Sequence, residues 1–329
     1  MPLLEVRNLN VVLQTQRGPA RAVRDVSFTL ERGETLGLVG ESGCGKSITA
    51  MSLMGLLPEN AKVTGSIQLE GRELVGLPER QLCELRGDRI GMIFQEPMTA
   101  LNPVHTIGHQ VAEPLRLHRG MSASAARKEA IALLDRVGIP DAARRVDAYP
   151  HQFSGGQRQR ITIAMALACG PDLLIADEPT TALDVTIQRQ ILELVRGLVA
   201  ERGMALILIS HDLGVVAQNV SKMMVMYGGE VVEDGPTAPV FANPMHPYTL
   251  GLFAARPRLV GPRGGRLATI AGTVPELVDL PPGCPFAGRC RLTVPECHVT
   301  MPPPHEISPG HHARCIRLDT VAAEKKVAA

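Results

Sequence analysis

The sequence has no tryptophan, and aromatic residues of all kinds make up only 3% of its 329 residues. Few aromatic side chains leave little for bases to stack on, so a single-strand-binding protein is not expected. The net charge of +1 gives no reason to expect binding to nucleic acid or to an anionic membrane. No apolar run approaches the roughly 18 residues of a membrane-spanning helix, and the N-terminus does not resemble a signal peptide. We therefore expect a cytoplasmic protein that reaches a membrane only through a partner.

One stretch fits the pattern G-x-x-x-x-G-K-[ST] of a phosphate-binding loop. Residues 34–39 before it predict a buried strand, and residues 48–54 after it predict a helix. Glycines let backbone N–H groups turn towards phosphate oxygens, Lys46 can reach the β- and γ-phosphates, and Ser47 can bind Mg²⁺. The alternative, a glycine-rich turn before a helix, fits the flanking pattern less well. The predicted nucleotide-binding residues here are Gly40, Glu41, Ser42, Gly43, Cys44, Gly45, Lys46, Ser47 and Ile48.

Two adjacent carboxylates end another apolar segment, residues 173–176. If this segment is a strand beside the phosphate loop, Asp177 can hold Mg²⁺ directly or through water. Glu178 is then placed to orient or deprotonate an attacking water. A solvated acidic turn would be the preferred interpretation of these two residues alone, but the upstream phosphate loop favours a catalytic pair.

Strands and helices alternate through the first part of the chain, which predicts an α/β fold with a mainly parallel sheet. The predicted strands are 4–13, 22–30, 34–39, 63–69, 89–94, 172–176 and 205–209, and the predicted helical regions are 48–54, 106–138, 157–168 and 185–201. Fifteen of the 26 prolines lie between Pro236 and Pro309. Because proline interrupts helices and central strands, we predict a short helix at 246–255, a linker and a small irregular module there.

A second set of glycines precedes the helix predicted at 157–168, namely Ser154-Gly155-Gly156-Gln157. A hydroxyl and two glycines at a helix N-terminus make another anion site. This tetrapeptide resembles the signature motif of ATP-binding cassette (ABC) ATPases. The other motifs follow that family's order: the phosphate loop, Gln95, the signature, Asp177-Glu178, Ala182-Leu183-Asp184 (resembling the D-loop) and His211 (resembling the switch histidine).

The resemblance covers about residues 1–235 and implies the ABC cassette fold. That fold has a RecA-like core, an antiparallel β subdomain and a helical subdomain, here at about 97–157. Two cassettes of this family dimerise head to tail, so Ser154, Gly155, Gly156 and Gln157 would contact the partner's nucleotide. Lys46, Glu178 and His211 would be catalytic, with His211 on the γ-phosphate. Gln95 would bind Mg²⁺ together with Ser47 and Asp177, and would couple the site to a membrane subunit.

The sequence departs from the family at the residue that usually stacks on adenine. The first hairpin has no aromatic residue at that place in Val11-Val12-Leu13-Gln14-Thr15. We expect either that Leu13 packs on the base or that Arg17, Arg21 or Arg24 stacks on it.

A closer resemblance, to dipeptide and oligopeptide importers, spans nearly the whole chain. It is carried by residues 95–103, by Tyr149-Pro150-His151-Gln152, by residues 177–184, and by His246-Pro247-Tyr248-Thr249 with the cysteine-containing tail. It implies an ATP-hydrolysing subunit that powers peptide uptake from the cytoplasmic face of the membrane. The implied partners are two permease subunits, a second cassette (a second copy or another chain) and an extracytoplasmic binding protein. Nickel and glutathione importers share parts of the pattern, and a soluble non-transport ABC ATPase is a further alternative.

Four of the seven cysteines lie together in the C-terminal region, at Cys284, Cys290, Cys297 and Cys315. Four thiolates can hold a [4Fe–4S] cluster or a zinc ion. The absence of C-x2-C pairs favours the cluster, and the resemblance to peptide importers adds to this. Zinc remains the alternative, with a histidine replacing one thiolate: His298, His305, His311 or His312. Cys44, in the phosphate loop, is either a redox brake on nucleotide binding or a residue of which only the backbone N–H matters.

Overall fold

The computed structural model describes residues 1–181, 183–255 and 269–328. The part of the linker predicted at 256–268, and Ala182 of the predicted D-loop, lie outside the described residues. The strands, in chain order, are β1 Leu4–Thr15, β2 Gly18–Leu30, β3 Thr35–Val39, β4 Ala61–Leu69, β5 Arg72–Glu73, β6 Ile90–Ile93, β7 Leu173–Asp177, β8 Ala205–Ser210, β9 Lys222–Tyr227, β10 Glu230–Pro236, β11 His305–Ser308 and β12 His311–Ala313. The helices are α1 Lys46–Met54, α2 Glu79–Leu85, α3 Pro97–Ala100, α4 Ile107–Arg119, α5 Ala123–Arg136, α6 Ala142–Arg145, α7 Gly155–Ala166, α8 Val185–Arg202, α9 Leu213–Asn219, α10 Thr237–Ala242, α11 Pro247–Ala254 and α12 Leu318–Ala328.

The strands form two sheets. A smaller antiparallel sheet has the order β2-β1-β4-β5, and the larger one has the order β11-β12-β10-β9-β3-β8-β7-β6. In the larger sheet, the pairings among β6, β7, β8, β3 and β9 are parallel, and those of β10, β11 and β12 are antiparallel. The predicted α/β class is therefore confirmed, although the larger sheet is mixed at one side.

Two apolar cores lie on the two faces of the larger sheet. Successive side chains of a strand point to opposite faces of its sheet, so the residues of β7 alternate between the two cores. Leu173 and Ile175 pack with the smaller sheet and α1, whereas Leu174 and Ala176 pack with the helices. Every residue of β7 is buried. An unbroken apolar run is thus what a central parallel strand needs, because helices or sheets cover both of its faces.

The helical stretch predicted at 106–138 is two helices rather than one. Helix α4 ends at Gly120, whose φ of +62° is in the left-handed region that stops helices, and Ser122 caps α5 by accepting a hydrogen bond from the backbone N–H of Ala125. The predicted helical subdomain at 97–157 contains the helices α3 to α6.

Within the described residues, no helix is long and apolar enough to cross a membrane.

The C-terminal extension pairs with the larger sheet, which its proline content did not predict. Helix α11 agrees with the short helix predicted at 246–255. The irregular module predicted after it, however, contains the hairpin β11–β12, and β12 pairs with β10 at residues Glu233 and Asp234. The hairpin thus extends the larger sheet, and the prolines at 302–304 and 309 flank its strands instead of interrupting them.

Candidate functional site

Four neighbouring parallel strands end at one edge of the larger sheet, and each carries a predicted functional segment. The phosphate loop follows Val39 of β3, Glu178 follows β7, and His211 follows β8. Gln95 comes two residues after β6. Ligands of open α/β sheets bind outside the carboxyl ends of the strands. Topology therefore brings together segments that lie far apart in the sequence.

The phosphate loop is held closely by neighbouring backbone. At Gly45 (φ +102°) a Cβ would come within 2.4 Å of the carbonyl oxygen of Ala22, so only glycine fits. Lys46 lies inside the loop, where its Nζ donates to the carbonyl oxygens of Gly40 (2.8 Å) and Glu41 (3.0 Å). Ser42 and Gly43 are exposed at the rim of the loop. The loop thus has a fixed backbone, one internal cation and an open rim.

The side chains of Ser47 and Asp177 meet beside this loop. Asp177 is only 4% exposed, and burial raises the pKa of its carboxyl, while the hydrogen bond from Ser47 counteracts this rise. Its Oδ1 atom is buried without a hydrogen-bond partner in the structure. A buried acceptor with a free oxygen next to a hydroxyl is a donor set that suits Mg²⁺. Two of the three residues predicted to hold the ion, Ser47 and Asp177, therefore fit it, whereas the Gln95 side chain bonds to Glu178.

Glu178 lies at the centre of a small polar cluster. Its Oε2 atom accepts hydrogen bonds from Thr181 Oγ1 (2.9 Å) and Gln95 Nε2 (3.3 Å), and His211 Nδ1 lies 3.2 Å away. Glu178 itself has a φ of +46°, and its backbone N–H donates to the carbonyl oxygen of Ile209. Gln95 and His211, which were predicted from two other motifs, thus both contact the Glu178 carboxylate. Thr181 was not predicted as a site residue, although it follows Glu178 by only three positions.

The signature residues lie at the start of α7, apart from the other motifs. Ser154 caps the helix: its Oγ accepts from the N–H of Gln157, and Gln157 Oε1 accepts in return from the N–H of Ser154. Ser154 and Gly155 are exposed. Gly156 lies against Ile187 at the start of α8, where a Cβ would come within 2.9 Å of the isoleucine side chain. The signature therefore presents a preformed, open helix N-terminus.

Two side chains of the C-terminal extension contact the phosphate loop at Glu41. The backbone N–H of Glu41 donates to Tyr248 Oη (2.8 Å), and the Glu41 carboxylate receives the guanidinium of Arg289 at 2.7 and 3.2 Å. Burial alone would lower the pKa of Arg289, but its hydrogen bonds to Glu41 and Tyr227 outweigh this and raise the pKa. Neither contact was predicted, because no local pattern relates residues this far apart in the sequence.

Comparison with known proteins agrees with this geometry. A family model described as "ABC transporter" matches residues 23–181, and one described as "Oligopeptide/dipeptide transporter, C-terminal region" matches residues 232–297. The oligopeptide transport ATP-binding protein OppD of Salmonella typhimurium is 51% identical over 315 residues, spanning 96% of this chain and 93% of that protein. The chain belongs to the ABC transporter family.

Solved structures support the same fold. The ABC cassette MJ0796, in a dimer bound to ADP and Pi, matches 71% of this chain and 98% of its own with a TM-score of 0.64 at 30% identity. The protein cbiO1 of Clostridium perfringens, part of the transporter complex cbiONQ, matches 74% of this chain and 91% of its own with a TM-score of 0.63 at 28% identity. The predicted cassette fold is confirmed by these likenesses.

Two of the three arginines considered for stacking on the base have carboxylate partners in the structure. Arg24 is buried and pairs with Glu230 (3.2 Å). Arg17 is engaged by Glu276 and by Asp279. Burial excludes Arg24 from stacking on a base, so that expectation is wrong. The side chain of Arg17 is 56% exposed, and its carboxylate partners occupy the edge of the guanidinium and not its face, so stacking by Arg17, or by the exposed Arg21, stays a prediction. Leu13, the apolar alternative, lines a groove beside the phosphate loop.

The predicted metal cluster of the extension is not supported. Within the part of the chain that the structure describes, no group of three or more His, Cys, Asp or Glu side chains is placed to hold a metal ion. Cys284, Cys290, Cys297 and Cys315 do line one small pocket together. Burial raises the pKa of Cys284 to about 12 and that of Cys315 to about 11, and the neighbouring thiols add to both shifts.

Two of the four histidines considered as zinc ligands already have carboxylate partners. His311 is completely buried and contacts Glu233 through Nε2 (2.8 Å), and His312 lies 3.4 Å from Asp234. Both belong to the hairpin that joins the larger sheet, which fixes them there. Cys44 is also completely buried, and burial raises the pKa of its thiol. A buried neutral thiol is a poor redox switch, which favours the interpretation that Cys44 serves the loop only through its backbone.

The contact between Arg289 and Glu41 makes a prediction about nucleotide affinity. Replacing Arg289 with alanine leaves a partly buried carboxylate beside the phosphates without its cation. We expect Arg289→Ala to weaken ATP binding about fivefold, which corresponds to about 1 kcal/mol. Isothermal titration calorimetry measures the change.

A double variant separates charge repulsion from lost packing. In the Arg289→Ala background, Glu41→Gln removes the unpaired charge and should return the affinity to within about twofold of the parent. Unchanged affinity in Arg289→Ala, or no recovery in the double variant, would contradict the electrostatic argument.

Proposed function

We propose that this chain is the ATP-hydrolysing subunit that powers uptake of di- and oligopeptides through an ABC importer. The single observation that carries the proposal is the combination of a complete set of cassette motifs with an extension that matches the oligopeptide/dipeptide transporter C-terminal region. OppD, named as an oligopeptide transport ATP-binding protein, is similar to this chain over 93% of its own length.

Each residue of the site has a proposed role that follows from its contacts. Lys46 and the backbone N–H groups of the phosphate loop bind the phosphates. The Nζ atom of Lys46 already lies inside the loop, where it donates to the carbonyl oxygen of Gly40. Ser47 and Asp177, together with Gln95, would hold Mg²⁺. When bound, Mg²⁺ neutralises charge that develops on the phosphates.

Glu178 is the proposed general base. Its carboxylate is held by Thr181 and Gln95, which orients the oxygen that receives a proton from the attacking water. His211, whose side chain is 65% exposed, lies beside it and is free to reach the γ-phosphate. The proton moves from the water to Glu178 Oε while the backbone cradle keeps the phosphates in place.

A second cassette is required to complete the site. Ser154, Gly155, Gly156 and Gln157 form a helix N-terminus that is exposed at Ser154 and Gly155, which suits the nucleotide held by a partner's phosphate loop. The cassette MJ0796 was solved as a dimer with ADP and Pi. The partner is a second copy or a related chain, and two permease subunits and an extracytoplasmic peptide-binding protein complete the importer. The chain would act at the cytoplasmic face of the inner membrane.

Reconstitution tests this function. The chain should co-purify with two integral membrane subunits, and ATP hydrolysis in proteoliposomes should rise when a peptide-loaded binding protein is added. Stimulation by nickel or glutathione but not by peptides would replace the substrate. ATPase activity of a chain that co-purifies with no membrane subunit would favour the soluble, non-transport class.

Although no described side chains are placed to hold a single metal ion, four cysteines line one pocket, and we propose that this pocket takes up a [4Fe–4S] cluster that stabilises the extension. Four thiols line one pocket, and a cluster spreads its thiolates around a cube, whereas zinc draws them to about 2.3 Å from one point. Protein purified without oxygen should contain iron and sulfide in equal amounts. Zinc without sulfide would support the alternative, and folded protein with neither would refute both.

A further inference from the structure

A groove opens beside the phosphate loop, between the first hairpin and the C-terminal extension. We call it the hairpin–tail groove; it is lined by Leu13, Thr15, Gln16, Arg17, Ala20, Ser42, Gly43 and residues 274–278. Its volume of about 640 Å³ lies within the roughly 300–1,000 Å³ of small-ligand sites. One side of the groove is therefore part of the cassette, and the other side belongs to the extension.

The floor of the groove is the open rim of the phosphate loop. Ser42 and Gly43 are exposed there and also line the groove, so the groove is continuous with the rim of the phosphate loop. The loop's other side is closed, because Gly45 touches the backbone of Ala22. The groove thus continues the phosphate site and is placed to receive the rest of a nucleotide.

The facing walls are aliphatic. Leu13 and Ala20 lie on the hairpin side, and Val274 and Leu277 lie on the extension side, all with side chains partly or wholly buried. A purine has two apolar faces and a polar edge, so two aliphatic walls can hold it by its faces without an aromatic side chain. The groove is also lined by polar side chains that can meet the polar edge of a base, so its composition fits the base of a nucleotide; they are Thr15, Gln16, Arg17, Ser42 and Glu276.

Arg17 fixes the two walls to each other. It lies in the turn of the first hairpin, and its guanidinium binds Asp279 at 2.9 and 3.0 Å and also contacts Glu276. Both carboxylates belong to the extension: Glu276 lies within the groove lining, between Val274 and Leu277, and Asp279 directly follows that lining. A fork of hydrogen bonds from one arginine to two acids is specific in geometry, so these largely exposed ion pairs favour one placement of the wall relative to Leu13.

We propose that Val274 and Leu277 form the second wall of the subsite for the nucleobase, opposite Leu13 and Ala20, and that Arg17 positions this wall through Glu276 and Asp279. The inference rests on the nucleotide site of the proposed function and adds a contribution of the extension to it. The class of ligand is a purine nucleoside triphosphate.

The test compares ATP with tripolyphosphate, which has the phosphates but no base. In Leu277→Asp we expect the affinity for ATP to fall about tenfold or more, since an aspartate cannot bury against a ring, while the affinity for tripolyphosphate stays within about twofold. The matched control is Val299→Asp, an exposed apolar residue of the same extension, which should change neither affinity. Calorimetric titration measures both ligands.

The positioning role of Arg17 is tested by charge exchange. Arg17→Asp should weaken ATP binding but not tripolyphosphate binding, and Asp279→Arg in the same chain should recover at least half of the loss on a logarithmic scale. The proposal is overturned if Leu277→Asp keeps ATP affinity within about twofold, or if ATP and tripolyphosphate affinities fall together. A parent chain that binds neither ligand would instead contradict the ATPase function.

Discussion

Glu178→Gln should abolish ATP turnover while leaving ATP binding intact. Glutamine has nearly the same shape and can still accept hydrogen bonds from Thr181 and Gln95, so the cluster around position 178 should persist. An amide cannot take a proton from water, however, and a positioned general base contributes about 10²–10⁴ to a rate. We therefore expect kcat to fall by that factor, measured as phosphate release in the reconstituted transporter.

Two further measurements make this prediction specific. The dissociation constant for ATP should stay within about threefold of the parent, because the change removes no group that binds phosphate. Glu193→Gln, on the exposed side of α8, is the matched control and should leave turnover unchanged. If Glu178→Gln retains more than about a tenth of the parent's turnover, another group is the base.

Glu233→Ala should cost about 3–5 kcal/mol in the free energy of unfolding. The Glu233 carboxylate is completely buried and accepts three hydrogen bonds: from the N–H groups of Met245 (2.7 Å) and His246 (2.9 Å), and from His311 Nε2 (2.8 Å). Removing it leaves all three donors buried without a partner. These donors lie at the start of α11 and on the C-terminal hairpin, so the loss should detach the extension from the sheet.

Urea titration of the purified chain measures this change. Glu233→Gln keeps the shape and one acceptor oxygen, and should lose about half as much as Glu233→Ala. Glu296→Ala, an exposed acidic residue of the same extension, is the control and should stay within about 0.5 kcal/mol of the parent. A loss below about 1 kcal/mol in Glu233→Ala would show that His311 and the backbone donors find other acceptors.

The phosphate loop, the acidic pair and the order of motifs could be predicted because each is a short local pattern. Asp177 and Glu178 follow an apolar run that is buried on both faces, and this pattern places them at the carboxyl edge of a parallel sheet. The meeting of Gln95, Glu178 and His211 then follows from the order of neighbouring strands. The sequence was therefore enough to predict those site residues that directly follow the carboxyl ends of strands.

Long-range pairing could not be predicted in the same way. The pattern at Arg17 and Arg24 allowed either to stack on a base, because nothing near them shows that Asp279 and Glu230 would engage their guanidinium groups. The hairpin at 305–313 is hidden by flanking prolines, and only its pairing with β10 makes it part of the sheet. Partners far apart in the sequence leave no periodic signal in a single chain.

The ion pair between Glu41 and Arg289 should constrain how the sequences of related chains change at these two positions. Position 41 is one of the four unrestricted positions of the phosphate-loop pattern, so nucleotide binding alone would tolerate many residues there. Its acidic side chain is matched to a cation almost 250 positions later, with the Arg289 side chain only 7% exposed. A recombination event that joins the first part of one such gene to the tail of another would separate the pair. Substitutions at positions 41 and 289 should therefore covary among related chains. A C-terminal extension exchanged between two chains should function only where both chains carry this acidic and basic pair.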